Sequence, residues 1–274
     1  APSHETSQMR VEQLGDGTPD VAVVAGIHGD EPCGPRAVQR LLDDDPEVQR
    51  PVKLVVANER ALERGVRYVN EDLNRAFPGD PDGENYEQRV AHDLLTELRG
   101  CTTLSLHSTQ SYAEPFALVE RVDAVTRSVC SDLPVTEVVE TDRFATGRLI
   151  TKPQTVEVEC GLQGTDRAAE NAYRLVRGFL DATDALPDRD DATGAEGRRD
   201  VTVYRMLQPV PKDQAAKYEV LVENFEGVRA GESFATVEGE EMVADEPFVP
   251  ILMSANGYED IFGYTGERLG GLGD

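Results

Sequence analysis

The chain has 274 residues, 39% of them hydrophobic, and its formal net charge at pH 7 is −25. This length suffices for one sizeable core or for a large and a small domain. A field this acidic repels phosphate backbones and argues against nucleic acid as a partner. No segment approaches the roughly 18 consecutive apolar residues of a membrane span, and residues 1–10 lack the apolar core of a signal peptide. We therefore predict a soluble cytoplasmic protein that binds neither membranes nor nucleic acid.

The charged residues are strongly biased in type. There are 52 acidic and 27 basic residues, and the basic residues include only four lysines, Lys53, Lys152, Lys212 and Lys217. A dispersed acidic surface that is poor in lysine stays hydrated at high salt, where screening suppresses its self-repulsion. The composition favours a halophilic protein over an ordinary acidic one.

Strand and helix patterns alternate along the first two thirds of the chain. Apolar runs typical of buried strands occur at residues 21–27, 52–58, 102–106, 115–120, 135–140 and 154–160. Helical patterns occur at residues 32–42, 84–98 and 165–182, the last opened by a capping Thr165 or Asp166. This alternation predicts an α/β fold with a mostly parallel or mixed central sheet flanked by helices.

A change of composition near residue 187 predicts a domain boundary. Residues 187–200 are polar and charged, with almost nothing to bury, which is typical of a linker. Short alternating segments broken by glycines follow it. We predict a large α/β domain over residues 10–186, a linker over 187–200 and a small β-rich domain over 201–274. Residues 1–9 carry no weight in this prediction.

Two histidines follow predicted strands. His28 and Glu31 lie in GIHGDEPCG, directly after the first buried strand, and His107 lies in SLHST at the end of another. Ends of neighbouring parallel strands meet at one edge of a sheet, where open α/β folds bind their ligands. Two imidazoles and a carboxylate form the ligand set of a catalytic zinc ion, with one position left open. We predict one zinc ion per chain, held by these three side chains.

Two glutamates lie at the end of a further strand. Glu157 and Glu159 in VEVECG are two residues apart, so they share one face of the strand. A positioned carboxylate that accepts a proton from water contributes on the order of 10²–10⁴-fold to hydrolysis near a zinc ion. The strand pattern alone does not distinguish which of the two glutamates is this general base.

The chain resembles the succinylglutamate desuccinylase and aspartoacylase family, within the zinc carboxypeptidase superfamily. The resemblance rests on four ordered blocks, GIHGDEPCG (26–34), NERALERGVRYVNEDLNRAFPG (58–79), SLHST (105–109) and ECG (159–161). It implies a zinc carboxypeptidase-like fold and hydrolysis of the amide bond of a small N-acyl amino acid. The alternatives are a zinc carboxypeptidase acting on peptides, or a non-catalytic relative that binds a metal or ligand. An oligomer is compatible with either.

The resemblance also implies roles for individual residues. Arg67 would polarise the acyl carbonyl, and Asn74 and Arg75 would hold the α-carboxylate of the substrate. Asp72 would orient a metal ligand or an arginine. Arg148 and Tyr258 are similar in placement to residues that reach the substrate in aspartoacylases.

Two positions affect how far these roles carry over. An acidic residue that aspartoacylases carry ahead of the tyrosine is replaced here by Ala255. The contribution of the C-terminal region to the site is therefore open. The glutamate-x-glycine spacing favours Glu159 as the base, whereas Glu157 gives an equally ungapped fit to aspartoacylase itself.

Overall fold

The apolar run at residues 21–25 forms a strand that is buried along its whole length. The structure, a computed structural model, describes residues 9–187 and 200–274. Its strands are β1 (Arg10–Leu14), β2 (Val21–Ala25), β3 (Val52–Val56), β4 (Thr102–Thr109), β5 (Phe116–Val119), β6 (Glu137–Glu140), β7 (Thr155–Leu162), β8 (Thr202–Pro211), β9 (Tyr218–Val220), β10 (Ser233–Val237), β11 (Glu240–Val243), β12 (Val249–Ile251) and β13 (Ile261–Gly271). Every residue of β2 is buried, as its uninterrupted apolar run predicts.

Within residues 9–187 and 200–274, five α-helices accompany the strands. They are α1 (Cys33–Asp44), α2 (Glu59–Arg64), α3 (Tyr86–Glu97), α4 (Ala124–Asp132) and α5 (Asp166–Ala182). The side chain of Thr165 caps α5 by accepting a hydrogen bond from the backbone N–H of Ala168. None of the helices in the described ranges is both long and apolar enough to cross a membrane.

Ten strands form one mixed sheet, in the order β1-β3-β2-β4-β7-β5-β6-β8-β13-β12. Strands β3, β2, β4 and β7 are parallel, whereas β5 runs antiparallel to β7. Alternate residues of β2 enter different cores: Val23 packs with the layer of α1 and α5, and Val24 with the layer of α3. The predicted fold class, a mixed central sheet flanked by helices, is confirmed.

The C-terminal strands divide between two sheets. Strand β8 pairs in parallel with β6, and β13 and β12 follow it, so these three strands extend the large sheet. Strands β9, β10 and β11 form a separate antiparallel sheet. One core cluster joins Phe116 of β5 to Tyr204 of β8 and Ile251 of β12, so the C-terminal strands share a core with the rest of the sheet.

Some sequence predictions concern segments outside the described residues. The predicted linker over 187–200 falls mainly on residues 188–199, and the N-terminal segment on residues 1–8. The division into a large and a small domain therefore stays a prediction. Strand β1 and helices α2 and α4 were not predicted. Helix α4 does carry a readable start signal, a capping box between Asp123 and Thr126.

Candidate active site

The two histidine-bearing strands lie side by side. Strands β2 and β4 are parallel neighbours, so His28, which follows β2, and His107 in β4 meet at the same edge of the sheet. Glu31 lies in the turn that leads into α1. This turn requires a glycine at position 29, because a Cβ there would lie 2.1 Å from the backbone carbon of Ala61.

His28, Glu31 and His107 converge as a candidate metal site, and we refer to these three residues as the metal-binding group. Nδ1 of His28 lies 2.8 Å from Oε1 of Glu31, and Nδ1 of His107 lies 3.2 Å from Oε2 of the same carboxylate. Candidate ligand atoms of the three residues lie within 4.8 Å of one another, and all three residues are buried. No other such group occurs among residues 9–187 and 200–274. The donor set and its geometry fit a catalytic zinc ion.

Each histidine is oriented through its second ring nitrogen. Nε2 of His28 lies 2.9 Å from Oδ1 of Asp72, and Nε2 of His107 lies 3.2 Å from Oγ of Ser105. Outer partners of this kind fix the ring orientation and the tautomer, which leaves both Nδ1 atoms for a metal. The sequence indicated Asp72 as a residue that orients a ligand, but it did not point to Ser105.

The charges of this group are strongly coupled. Burial lowers the pKa of His107, but its hydrogen bond to Glu31 and the charge of Glu157 outweigh burial and raise the pKa to about 9. Burial raises the pKa of Glu31, yet the two histidines hold it well below its usual range. The pKa of Asp72 is also held well below its usual range. Burial raises this pKa, but the hydrogen bond from His28 and the charge of Arg67 lower it by more. The metal-free group therefore pairs a protonated His107 with the ionised carboxylate of Glu31, and the carboxylate of Asp72 is also ionised.

Arg67 lies beside the metal-binding group. Its Nε and one guanidinium nitrogen donate to Oδ2 of Asp72 at 3.1 and 3.0 Å, and the other nitrogen donates to Oε1 of Glu31 at 3.3 Å. The guanidinium also lines the cavity above the group. Arg67 can therefore present a positive charge to a substrate atom at the metal-binding group.

The environments of the two glutamates on β7 differ. Glu159 pairs in register with His107, and its Oε2 is buried without a hydrogen-bond partner among the described residues. Burial and the charges of Glu31 and Glu157 raise the pKa of Glu159 to about 7. Glu157 is fully buried and accepts a hydrogen bond from Nδ2 of Asn74 at 3.2 Å. A carboxylate that titrates near neutrality suits a general base.

Asn74 lines the cavity, but much of its side chain is already engaged. Its Nδ2 donates to Glu157, and its Oδ1 accepts the backbone N–H of Leu149 at 3.0 Å. One amide hydrogen is left for another acceptor. The predicted contact between Asn74 and the substrate carboxylate stays a prediction.

Two arginines lie close together on another wall of the cavity. Arg148 is buried and its Nε has no hydrogen-bond partner, while Arg75 donates to the backbone oxygen of Asn74 at 2.7 Å. Within the described residues, neither guanidinium forms an ion pair with a carboxylate. Burial and the charge of Arg148 lower the pKa of Arg75. Two guanidinium groups at one cavity, Arg148 buried and Arg75 exposed, that form no carboxylate ion pair among the described residues favour the binding of an anion.

The C-terminal region closes one side of the cavity, which has a volume of about 260 Å³. The chain from Leu252 to Tyr258 contributes Leu252, Ser254, Asn256, Gly257 and Tyr258 to its lining. Asn224 holds this segment by hydrogen bonds with the backbone N–H and oxygen of Met253 at 2.7 and 3.0 Å. Burial raises the pKa of Tyr258 to about 12, so its hydroxyl remains a donor at neutral pH. Of these lining residues, the sequence pointed only to Tyr258.

The three candidate metal ligands lie at one small polar cavity. Part of the chain that carries them is similar in sequence to known proteins. The family model for the succinylglutamate desuccinylase/aspartoacylase catalytic domain matches residues 17–133. Aspartoacylase of Rattus norvegicus is 38% identical over 82 residues, which cover 29% of this chain and 25% of that protein. Succinylglutamate desuccinylase of Vibrio cholerae is 30% identical over 86 residues, covering 30% and 25%. The matched region thus spans about a quarter of each curated relative.

Solved structures extend the likeness to the whole fold. The succinylglutamate desuccinylase/aspartoacylase structure from Rhodobacter sphaeroides superposes with a TM-score of 0.75 at 18% identity, covering 94% of this chain and 89% of that one. Murine aminoacylase 3 superposes with a TM-score of 0.70 at 22% identity, covering 93% and 97%. At these identities the likeness shows the fold alone. With the family match over residues 17–133, it confirms the resemblance of this chain to the succinylglutamate desuccinylase/aspartoacylase family.

Proposed function

We propose that this protein is a zinc-dependent amidohydrolase that removes a small acyl group from an N-acyl amino acid. One observation carries the proposal. One small cavity is lined by a buried His₂Glu group, by Glu159, whose Oε2 has no hydrogen-bond partner among the described residues, and by Arg75 and Arg148, which form no carboxylate ion pair within the same residues. These are the parts that hydrolysis of an amide next to a carboxylate requires.

His28, Glu31 and His107 would hold the zinc ion. When bound, zinc supplies Lewis-acid polarisation of the water and of the scissile carbonyl. The outer partners Asp72 and Ser105 keep the two imidazoles turned towards it.

Glu159 acts as the general base and then as the general acid. Its carboxylate takes a proton from water as the water oxygen bonds to the carbonyl carbon. It then delivers this proton to the amide nitrogen as the carbon–nitrogen bond breaks, so the products are a carboxylate and a free amine. The pKa of about 7 allows both transfers near neutral pH.

Arg67 stabilises the charge that develops on the carbonyl oxygen. Its guanidinium is held in place by Asp72 and Glu31, so it is preorganised beside the reacting amide. Arg75 and Arg148 bind the carboxylate of the amino acid, with the hydroxyl of Tyr258 as a further donor. A substrate whose carboxylate is bound there would bring its amide to the residues that would hold the zinc ion.

The size of the cavity favours a small substrate over a peptide. A volume of about 260 Å³ lies below the roughly 300–1,000 Å³ typical of pockets for drug-sized ligands. The segment from Leu252 to Tyr258 closes the side along which a longer chain would continue. The presence of both the ligands and an unpartnered base also argues against a non-catalytic relative.

The direct test is amide hydrolysis at high salt. Protein is purified in molar KCl, stripped with a chelator, and assayed with and without added zinc on N-acetyl-aspartate, N-acetyl-glutamate, N-succinyl-glutamate and a blocked dipeptide. We expect zinc-dependent release of free amine from an N-acyl amino acid. The variant Glu159→Gln should retain zinc and lose turnover. Zinc-independent activity, or cleavage of the dipeptide alone, would contradict the proposal.

A further inference from the structure

A carboxylate oxygen that the proposed mechanism does not use lies buried in the cavity wall. Oδ1 of Asp30 is buried and has no hydrogen-bond partner among the described residues, and Asp30 lines the cavity. Oγ of Ser108, in the same lining, is also buried without a partner. Buried polar atoms without partners cost free energy, so such a pair in a cavity indicates a functional contact.

Asp30 belongs to a wall that is otherwise made of neutral polar groups. Its backbone oxygen accepts a hydrogen bond from Nε2 of Gln163 at 2.9 Å, and Gln110 donates to Oε1 of Gln163 at 3.4 Å. We call Asp30, Gln110 and Gln163 the glutamine wall. Asp30 is the one charged residue of this wall.

The glutamine wall lies near Arg67. Although burial lowers the pKa of Arg67, nearby carboxylates raise it, and Asp30 is one of them. Asn74, next to Arg75, donates to Glu157 on β7 and accepts the backbone N–H of Leu149, next to Arg148. Asp30 is instead bonded to Gln163, which follows the end of β7. The arginine pair and the glutamine wall are therefore attached to different parts of β7.

We infer that the glutamine wall contacts the acyl group of the substrate, and that Asp30 selects uncharged or hydrogen-bond-donating acyl groups against those that carry a carboxylate. This rests on the proposed function, in which Arg75 and Arg148 hold the amino-acid carboxylate and the amide lies at the metal-binding group. The acyl group of the substrate would then contact the glutamine wall. An acetyl group, or an acyl group with an amine, fits this wall, whereas a succinyl group does not.

Charge is the basis of the selection. The distal carboxylate of a succinyl group would meet the carboxylate of Asp30 in a site with little water. The charge of Asp30 acts on Arg67, but the charge of Arg67 is already shared with Asp72 and Glu31, and its remaining donors face the carbonyl oxygen in the proposed reaction. Like charges that are not compensated raise the free energy of the wrong complex, which is a repulsive element of specificity.

The experiment compares matched substrates with matched variants. kcat/KM is measured for N-acetyl-, N-glycyl- and N-succinyl-glutamate with the wild type, with Asp30→Asn, and with Asp82→Asn as a control. Asp82 is exposed and lies outside the cavity lining. Replacing it with Asn changes the net charge by the same amount as Asp30→Asn but leaves the cavity intact. We expect the wild type to prefer acetyl over succinyl by at least about tenfold, and Asp30→Asn to reduce this ratio at least about fivefold. Asp82→Asn should leave the ratio unchanged.

Binding separates this inference from the proposed reaction. Calorimetry with zinc-loaded protein uses non-hydrolysable ketomethylene analogues of N-acetyl- and N-succinyl-glutamate. A preference for the acetyl analogue that shrinks in Asp30→Asn supports the inference, even if no substrate is hydrolysed and the proposed reaction fails. Wild type that binds or hydrolyses the succinyl compound as well as the acetyl compound overturns it. The inference is also overturned if the acetyl-to-succinyl ratio of kcat/KM is the same in Asp30→Asn and Asp82→Asn. It is likewise overturned if neither analogue binds.

Discussion

Nδ2 of Asn74 donates a hydrogen bond to Oε1 of Glu157 at 3.2 Å, in the buried layer beneath the metal-binding group. The same carboxylate oxygen lies 4.0 Å from Nε2 of His107. Glu157 is therefore engaged by a fixed donor on the outer side of a metal ligand. Glu159, two residues further along the strand, keeps a carboxylate oxygen without a partner.

This difference predicts contrasting effects of two matched substitutions. Glu159→Gln should reduce kcat by about 10²–10⁴-fold while zinc and substrate still bind, because an amide cannot accept the proton from water. Glu157→Gln should reduce kcat less and weaken zinc binding, because His107 loses a neighbouring negative charge. Steady-state kinetics with metal analysis of both variants checks this. If Glu157→Gln is the inactive variant that retains zinc, the base assignment moves by two residues.

Zinc binding should release protons and weaken as the pH falls. The metal requires a neutral imidazole, yet the pKa of His107 is raised to about 9 in the metal-free protein. Below that pH each zinc ion must displace the proton on His107, so the apparent affinity should rise with pH up to about 9. Calorimetry at pH 7 in buffers of different ionisation enthalpy measures the protons released. An uptake of protons, or none exchanged, would contradict the assignment of His107 as a ligand.

The same pKa predicts how the stability of the metal-free protein depends on pH. A raised histidine pKa means that the pairing of His107 with Glu31 contributes fully below the unfolded pKa of about 6.5. This contribution is lost as the pH rises towards 9. Thermal unfolding with chelator should give a Tm that falls over this range, and His107→Gln should flatten the fall. A Tm that rises with pH in both proteins would be inconsistent with the paired site.

Arg75→Ala should weaken substrate binding rather than the chemical step. Loss of a charge-assisted hydrogen bond to the substrate carboxylate costs about 1.5–3 kcal/mol, or roughly 10- to 150-fold in kcat/KM. Most of this loss should appear in KM, and the zinc content should not change. Arg36→Ala is a suitable control, because Arg36 pairs with Asp166 on the surface. An Arg75→Ala variant with unchanged KM on every N-acyl amino acid tested would exclude this residue from carboxylate binding.

Stability should depend on molar salt. A net charge of −25 produces self-repulsion that must be screened before the folded state is favoured. Thermal unfolding followed from low to molar KCl should show a steadily rising Tm. A Tm that does not change with KCl would remove the halophilic interpretation and leave the enzymatic proposal as it stands.

The linear order of residues was enough to predict the parallel strands of the large sheet and the convergence of the three candidate metal ligands. Buried parallel strands are uninterrupted apolar runs, and ligands placed directly after such runs must meet at one sheet edge, so the group of His28, Glu31 and His107 follows from local pattern alone. Long strands and amphipathic helices are read in the same way. Strand β1 could not be predicted from the sequence, because it is a short, largely exposed edge strand without an apolar run.

Only the tertiary structure could distinguish Glu157 from Glu159 by environment or bring Asp30 and residues 252–258 to the same cavity. Two glutamates on one strand face have the same local pattern, and their difference arises from Asn74, which lies 83 residues away in the chain. The closing segment reaches the site because β12 and β13 continue the large sheet, a pairing between strands that are distant in sequence. Contacts of this kind depend on which surfaces pack together, and no periodicity within a short segment encodes them.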